Sequence, residues 1–395
     1  MTPRTSLPAP IWVAVLVASL VFLIWINGPR RERLERVTAV AQAPVQPSTE
    51  SATGYPGGRR ELIIPERLSA SQETIAHTQH MLANGAWRVR HDARDNAPFG
   101  REVHASSLYR WWLALVAWLH HGLQAQPLGV SVERAALYAD PLLHAAWLIA
   151  ASVIAARLAG GWAAAVVAAG GALIYPFAAG FMPGVPEEHA LALALGTLSV
   201  LLVVGGMAAA DAGATAPEAT TPRRRSKSNP PLVRGGPTAK VSRRRWMIAG
   251  GIVGGLGVWN NPQAQLPLLL GVAIGALGAA WADRTRRPKA TDDVARTVPA
   301  WRVWGAAGAC TVLAGWLIEF FPSHLGRWEW RAVHPFYAVA WLAAGEVLAR
   351  AAAWIQHGQR PRSLWDVLAM AGGVLGLALM PVTAAMTGGG GLLAV

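Results

Sequence analysis

Two short segments rich in Asp, Glu and His interrupt an otherwise apolar chain. The first extends from ETIAH (73–77) to REVH (101–104), and the second is GFMPGVPEEH (180–189). Carboxylates are costly in a lipid environment unless they face water, a metal ion or a substrate. We therefore expect the chemistry of this chain to lie in these two segments.

The acids of both segments are oxygen ligands of the kind that hard divalent cations take. Carboxylates that come together repel one another and raise each other's pKa unless a cation lies between them. Oxygen-rich ligand sets favour Mg²⁺ or Mn²⁺. We predict a metal site formed by Glu73, Asp95, Glu187 and Glu188. The alternative is that they are solvated loop acids.

Four arginines surround the first segment, namely Arg88, Arg90, Arg94 and Arg101. The forked guanidinium matches the oxygens of a phosphate. We predict that these arginines contact a lipid-linked phosphate. The alternative is that they are interfacial side chains that reach toward lipid headgroups.

Composition indicates the class of protein. Of 395 residues, 53% are hydrophobic and 14% are charged, and the apolar residues form long runs. This is typical of a polytopic helical membrane protein. The net charge of +13 resides in loops between apolar runs rather than on one patterned face, which argues against nucleic-acid binding. The single Cys310 excludes a disulfide framework.

Apolar runs long enough to cross a bilayer set the predicted organisation. They lie at 11–26, 138–157, 161–180, 189–209, 246–262, 265–282, 303–321, 334–352 and 364–385. The sequence thus predicts an all-α protein with about nine transmembrane helices. It divides into a first span (1–27), a first loop (28–137), a helical part that contains the second acidic loop (138–209), a basic loop expected to be disordered (210–245) and a C-terminal helical part (246–395).

Charge sets the predicted orientation. The loops 210–245, 283–302 and 353–363 are rich in Lys and Arg, which places them in the cytoplasm. This arrangement requires the segment 107–123 to lie in the membrane interface as an amphipathic helix instead of spanning. The N-terminus is then cytoplasmic, and both acidic segments face the periplasm of a bacterial inner membrane.

In their order and spacing, these motifs resemble the N-terminal half of the oligosaccharyltransferase catalytic-subunit family, which has the GT-C glycosyltransferase fold. The likeness covers roughly residues 9–210: a first span, DNAPFGREVH before the interfacial helix, and the GFMPGVPEEH turn. It implies transfer of a glycan from a polyprenyl-phosphate-linked donor with the help of a divalent metal. It also implies that Glu73, Asp95 and Glu187 are the catalytic acids, that His104 contacts the donor, and that Glu319 and Arg327 of a later loop form a third wall of the site.

By position, the resemblance puts Glu73 at the family's first-loop metal-binding acid, Asp95 at the second acidic point of that loop, and Glu187 and Glu188 at the second-loop acidic motif. The sequence has Glu where the family has Asp at 73, and it lacks the W-W-D-Y-G acceptor motif, so the acceptor is left open.

Two other functions stay open. A transporter or flippase would need helix breaks near the bilayer midplane, and Pro176 and the Asn260-Asn261-Pro262 run could supply them. The acids, however, lie at helix ends, which favours a surface site. A non-catalytic membrane subunit of the same fold is the third possibility, because the acidic motif departs from that of the family.

Overall fold

A computed structural model describes residues 8–37, 68–93, 95–214, 237–286, 300–322 and 332–357, and within them the chain is almost wholly helical. This confirms the all-α prediction. Arg94, Arg327, the predicted span 364–385 and residues 215–236 of the basic loop lie outside the described residues.

The helices follow the apolar runs of the sequence. They are α1 (Ala9–Val37), α2 (Leu68–Ala83), α3 (Leu108–Gln124), α4 (Leu128–Ala135), α5 (Ala139–Ala159), α6 (Gly161–Leu173), α7 (Tyr175–Ala178), α8 (Glu188–Ala214), α9 (Pro237–Asn260), α10 (Pro262–Arg286), α11 (Trp301–Glu319) and α12 (Pro335–His357). A 3₁₀ turn (Ala179–Phe181) follows α7, and two short strands, β1 (His91–Asp92) and β2 (Arg101–Glu102), pair between α2 and α3.

The number of spans does not confirm the predicted nine. Within the described residues, five helices are long and apolar enough to cross a membrane: α1, α5, α8, α10 and α12. A sixth span results if α6 and the Tyr175–Phe181 segment, which meet at a bend of 67°, are counted as one. The helices α9 and α11 coincide with predicted runs but are not among these candidates. The five or six spans indicate a helical membrane protein.

The first helix is longer than its apolar run. The first span was predicted to end at residue 27, whereas α1 continues to Val37 and includes the arginines that follow the run. Ion pairs one turn apart stabilise this extension, since Arg31 lies 3.9 Å from Glu35 and Arg36 lies 4.0 Å from Glu32. At its end, Glu35 also lies 3.8 Å from Arg134 of α4.

By contacts, the chain forms two compact units. The first comprises Met1–Leu198, Leu256–Gln265 and Ala314–His334, and the second comprises Ser199–Gly255, Leu266–Leu313 and Pro335–Val395. Each is described separately below.

In the first unit, α5 packs against α6, and both contact α1, while α2, α3 and α4 pack against one another. The first acidic segment leads from α2 to α3, and the second leads from the 3₁₀ turn to α8. The first forms an antiparallel hairpin in which His91 pairs with Glu102 and Asp92 pairs with Arg101. Gly100 has a positive φ of 70°, and a side chain there would collide with the ring of His91, so the hairpin turn requires glycine.

The second acidic segment turns at Gly184, whose φ is 80°. A side chain at Gly184 would collide with Leu34 of α1. The turn is fixed by backbone and side-chain hydrogen bonds, because Gly184 N donates to Ala136 O at 3.1 Å and Arg30 Nε donates to Pro183 O at 3.5 Å. The first span therefore positions the start of the segment that carries Glu187 and Glu188.

The helix α3 has two contrasting faces. Tyr109, Arg110, Leu113 and Val116 are buried, while Leu115, Trp118, Leu119 and Leu123 are exposed. With 17 residues, α3 is at the lower end of the lengths that cross a bilayer, and it is not among the candidate spans. Its position in the membrane interface stays a prediction.

In the second unit, glycines allow helices to approach closely. A Cβ at Gly345 of α12 would lie 2.9 Å from the Cα of Gly305 in α11, and Gly251 of α9 contacts the backbone of α11 at Trp304. Small residues at helix contacts are typical of membrane helix packing. Trp304 and Trp341 pack beside these contacts with ring centroids 4.8 Å apart.

Candidate functional site

A cavity of about 330 Å³ lies entirely within the first unit. Four stretches of the chain line it: α2, the start of α3 with the residues before it, the second acidic segment, and the junction of α9 and α10. The lining residues are Ala70, Glu73, Thr74, His77, Ala105, Ser106, Tyr109, Arg110, Glu187, Glu188, His189, Asn261 and Gln263. Three of the four predicted metal-binding acids therefore face one cavity.

Glu187 is held by contacts from α2 and from its own segment. Its Oε1 accepts a hydrogen bond from Ser71 Oγ at 3.1 Å, and its Oε2 lies 3.6 Å from Nδ1 of the more exposed His189. Ser71 lies at the start of α2, so one hydrogen bond connects two segments that are 116 residues apart. The carboxylate is thereby fixed at the cavity rather than free in solvent.

Glu188 is held by the break between α9 and α10. Asn260 Nδ2 donates to the backbone oxygen of Glu188 and Asn261 Nδ2 donates to its Oε1, both at 2.8 Å. Asn261 also caps α10, because its Oδ1 accepts from Ala264 N at 3.0 Å and Pro262 takes the first helical position. The Asn-Asn-Pro run that could have served a transport pathway here positions a cavity acid.

His77 lies between two carboxylates. Its Nε2 donates to Asp92 Oδ2 at 3.0 Å, and its Nδ1 lies 3.7 Å from Glu73 Oε1. Burial lowers the pKa of His77, and the positive charge of Arg110 lowers it further, while the hydrogen bond to Asp92 and the charges of Glu73 and Asp92 oppose these effects. The ring is neutral at pH 7, and Asp92 fixes its orientation.

Arg110 is the cation of the cavity. Its side chain is buried, with Nη2 donating to Ala105 O at 2.8 Å. Burial lowers the pKa of Arg110, although the charges of Glu319, Glu188 and Glu73 oppose the effect. Sequence reasoning missed this residue, treating it as one end of an interfacial helix. The available signal was an arginine inside the apolar run YRWWLALVAW (109–118).

Glu319 lies behind the cavity wall. It is completely buried and accepts hydrogen bonds from Ser106 Oγ at 2.8 Å, from Ser107 N at 3.0 Å and from Trp259 Nε1 at 2.6 Å. Arg88 donates to its backbone oxygen, and Arg88 Nε lies 4.0 Å from its Oε2. Glu319 was predicted to line a wall of the site; the structure places it one layer deeper, where it holds Ser106.

The other predicted residues that the structure describes do not line the cavity. Asp95 has 51% of its side chain exposed and lies 3.7 Å from Arg101, which is also exposed. Arg90 is exposed and His104 is half-buried, and neither lines the cavity. Arg88 is buried, donates to Val103 O at 3.2 Å and lies 4.0 Å above the ring of Phe320. The structure thus brings together Glu73, Glu187 and Glu188, and it does not bring Asp95 or these arginines to them.

The cavity acids can be tested against the predicted metal. In the parts of the chain that the structure describes, no three His, Cys, Asp or Glu side chains come together as a ready-made metal site. Mg²⁺, however, is usually held by one or two carboxylates together with water and substrate phosphates. The carboxylates of Glu73, Glu187 and Glu188 fit that second arrangement in their chemistry.

Comparisons with known proteins bear on the fold. No family model and no curated protein matches the sequence. Among solved structures, the oligosaccharyltransferase AglB of Archaeoglobus fulgidus, in complex with an inhibitory peptide and a dolichol-phosphate, is similar with a TM-score of 0.54 and 13% identity. The same organism's oligosaccharyltransferase, tethered to an acceptor peptide with the NVT sequon, is similar with a TM-score of 0.52 and 12% identity.

These similarities cover 94% and 95% of this chain but only 37% and 38% of the other two chains. The chain therefore spans less than two fifths of the length of the proteins that it resembles. At this identity the likeness concerns the fold. The resemblance inferred from the motifs, to one part of an oligosaccharyltransferase subunit, is confirmed at that level.

Proposed function

We propose that this chain is a GT-C-type membrane glycosyltransferase that moves a sugar or oligosaccharide from a polyprenyl-phosphate-linked donor to an acceptor. The observation that carries the proposal is the cavity in which Glu73, Glu187 and Glu188 meet the buried Arg110. A fold similar to that of an oligosaccharyltransferase solved with dolichol-phosphate supports it. The neighbour's acceptor is a peptide, and the acceptor of this chain is left open.

The reaction makes defined demands on the site. The bond between the sugar C1 and the phosphate oxygen breaks, a bond from the acceptor to C1 forms, and the acceptor loses a proton. We propose Glu73 as the acceptor of that proton, because its side chain lines the cavity and is 54% exposed. His77, oriented by Asp92, lies against Glu73 and limits the directions in which the carboxylate can point.

The metal predicted from the sequence is part of the proposal. Glu73, Glu187 and Glu188 would hold Mg²⁺ or Mn²⁺ together with phosphate oxygens. When bound, the ion would supply charge neutralisation for the departing phosphate.

The orientation in the membrane is also proposed. The charge of the basic loops supports an orientation with residues 210–245 in the cytoplasm and the two acidic segments on the periplasmic side of a bacterial inner membrane. The exposed Leu115, Trp118 and Leu119 of α3 would then rest in the outer interface, beside the cavity residues at the start of that helix. A donor whose phosphate lies at headgroup depth could reach the cavity from the bilayer.

The test is turnover by purified protein in lipid nanodiscs. A polyprenyl-phosphate-linked donor labelled in its sugar is supplied with Mn²⁺ or with EDTA, and transfer of label from the lipid to water or to an added acceptor peptide is measured. We expect Mn²⁺-dependent transfer that Glu187→Ala abolishes and that Asp95→Ala, the exposed control, leaves near wild type. Donor binding without transfer would instead indicate the non-catalytic subunit, and neither binding nor transfer would refute the proposal.

A further inference from the structure

Resting on the proposed function, we infer that Arg110 binds a phosphate oxygen of the donor inside the cavity, a role that the sequence predicted for four other arginines. The inference concerns the recognition of the donor's phosphate or diphosphate group and does not depend on the identity of the sugar or the acceptor.

The first observation is an unused donor. The Arg110 side chain lines the cavity, yet only 4% of the residue is exposed, and its Nη1 has no hydrogen-bond partner among the described residues. A buried polar group without a partner costs on the order of 1–3 kcal/mol, and more when the group is charged. Glu73 and Glu188 act on Arg110 through their charge, but neither accepts a hydrogen bond from Nη1. Nη1 itself is shielded from the cavity, so a ligand oxygen reaches it, and removes this cost, only after a small shift of the guanidinium.

The second observation is that the guanidinium is already oriented. Its Nη2 is fixed by the backbone oxygen of Ala105 at 2.8 Å. The neighbouring Tyr109 is fixed as well, since its hydroxyl donates to Asp140 Oδ1 at 2.6 Å. Side-chain hydrogen bonds therefore hold both Arg110 and the residue before it in place. A preorganised guanidinium loses little side-chain entropy on binding, which favours it over a mobile surface arginine.

The third observation is that two other arginines, Arg88 and Arg101, make their contacts outside the cavity. Arg88 donates hydrogen bonds to the backbone oxygens of Glu319 and Val103, and its guanidinium lies over the Phe320 ring. Arg101 lies beside Asp95 on the exposed hairpin. Neither lines the cavity. Within the described residues, Arg110 is the arginine that the structure places where the acids meet.

The charge of the cavity sets a condition on binding. Three carboxylates face the same space as one guanidinium, so a phosphate that enters alone is repelled. A divalent cation that enters with the phosphate balances this charge, because it is shared between the carboxylates and the phosphate oxygens. Phosphate binding at Arg110 should therefore require Mg²⁺ or Mn²⁺.

The experiment measures binding rather than turnover. Isothermal titration calorimetry of the full chain in nanodiscs uses two probes with Mg²⁺, namely farnesyl diphosphate and inorganic pyrophosphate. The variants are Arg110→Lys, which keeps the charge but loses the planar fork, and Arg101→Gln as the matched control outside the cavity. Thermal unfolding shows whether each variant is folded.

We expect Arg110→Lys to weaken binding about tenfold, which corresponds to about 1.4 kcal/mol, and Arg101→Gln to change it less than twofold. Tighter binding of farnesyl diphosphate than of pyrophosphate would identify a lipid-linked phosphate as the ligand, whereas equal binding would identify the phosphate group alone; both depend on Arg110. Unchanged binding by folded Arg110→Lys would overturn the inference and leave the proposed function standing.

If wild-type protein binds neither probe, the inference and the proposed donor both fail. Because Arg110 is buried, the variant could unfold, and a second measurement on the wild type then decides. A structure of the wild-type chain with farnesyl diphosphate and Mg²⁺ should show a phosphate oxygen within hydrogen-bond distance of the Arg110 guanidinium. A phosphate bound away from Arg110 would refute the assignment.

Discussion

The Oδ2 of Asp92 lies 3.0 Å from the Nε2 of His77, and this contact selects which acid of the hairpin reaches the cavity residues. On the other side of the ring, Nδ1 lies 3.7 Å from Glu73 Oε1. Asp92, His77 and Glu73 thus form a continuous chain from the hairpin to the cavity. Asp95, three positions later, points to Arg101 instead.

The first prediction contrasts these two acids. Asp92→Asn should lower transfer on the order of tenfold, because losing a carboxylate that orients a site residue typically has an effect of this size. Asp95→Asn should stay near wild type, since an exposed ion pair contributes little. The measurement is the rate of sugar release from the lipid-linked donor. Equal losses in the two variants would show that the His77 contact has no functional role.

The second prediction concerns the metal. In a titration of Mn²⁺ followed by electron paramagnetic resonance, with farnesyl diphosphate present, Glu187→Gln should weaken Mn²⁺ binding. Glu188→Gln should weaken it less, because two adjacent carboxylates do not readily point at the same ion, and Glu188 is held toward Asn260 and Asn261. Without farnesyl diphosphate, binding should be weak in every variant, since the described residues form no three-ligand site. Tight Mn²⁺ binding to the ligand-free protein would contradict this.

The third prediction concerns stability. Glu319→Ala removes the acceptor for Ser106, Ser107 and Trp259 and leaves Arg88 uncompensated. Breaking a buried charge network by removing one partner costs about 3–5 kcal/mol, so a large fall in thermal stability in detergent is expected. Glu346→Ala is the control, because its partner Arg302 is largely exposed although their atoms approach to 2.7 Å. A loss at Glu319 no larger than at Glu346 would show that the network contributes little.

The fourth prediction concerns α3. After Cys310 is replaced, single cysteines at Phe99 and Gln124, both exposed, should be labelled from the same side of the membrane by an impermeant maleimide. Phe99 precedes α3 and Gln124 ends it, so a helix that lies in the interface keeps both on one side. Labelling from opposite sides would mean that α3 spans, and the assignment of both acidic segments to one face would have to be withdrawn.

The sequence allowed the helices and the meeting of Glu73 with Glu187 and Glu188 to be predicted, since apolar runs define helices and both acidic segments fall between them. Two features could not be read from it. Whether Asp92 or Asp95 faces inward depends on the register of the hairpin, in which Asp92 pairs with Arg101. The direction of Arg110 depends on how α3 packs, because an arginine in an apolar helix can face either headgroups or a buried cavity.

The long reach of the Glu319 contacts has a consequence for biogenesis. Ser106 and Ser107 donate hydrogen bonds to Glu319, which is more than 200 positions further along the chain. A ribosome that has completed α3 has not yet made Glu319, so Arg88 and the two serines lack this partner at that stage. The wall behind the cavity can therefore be completed only after the end of α11 has been synthesised.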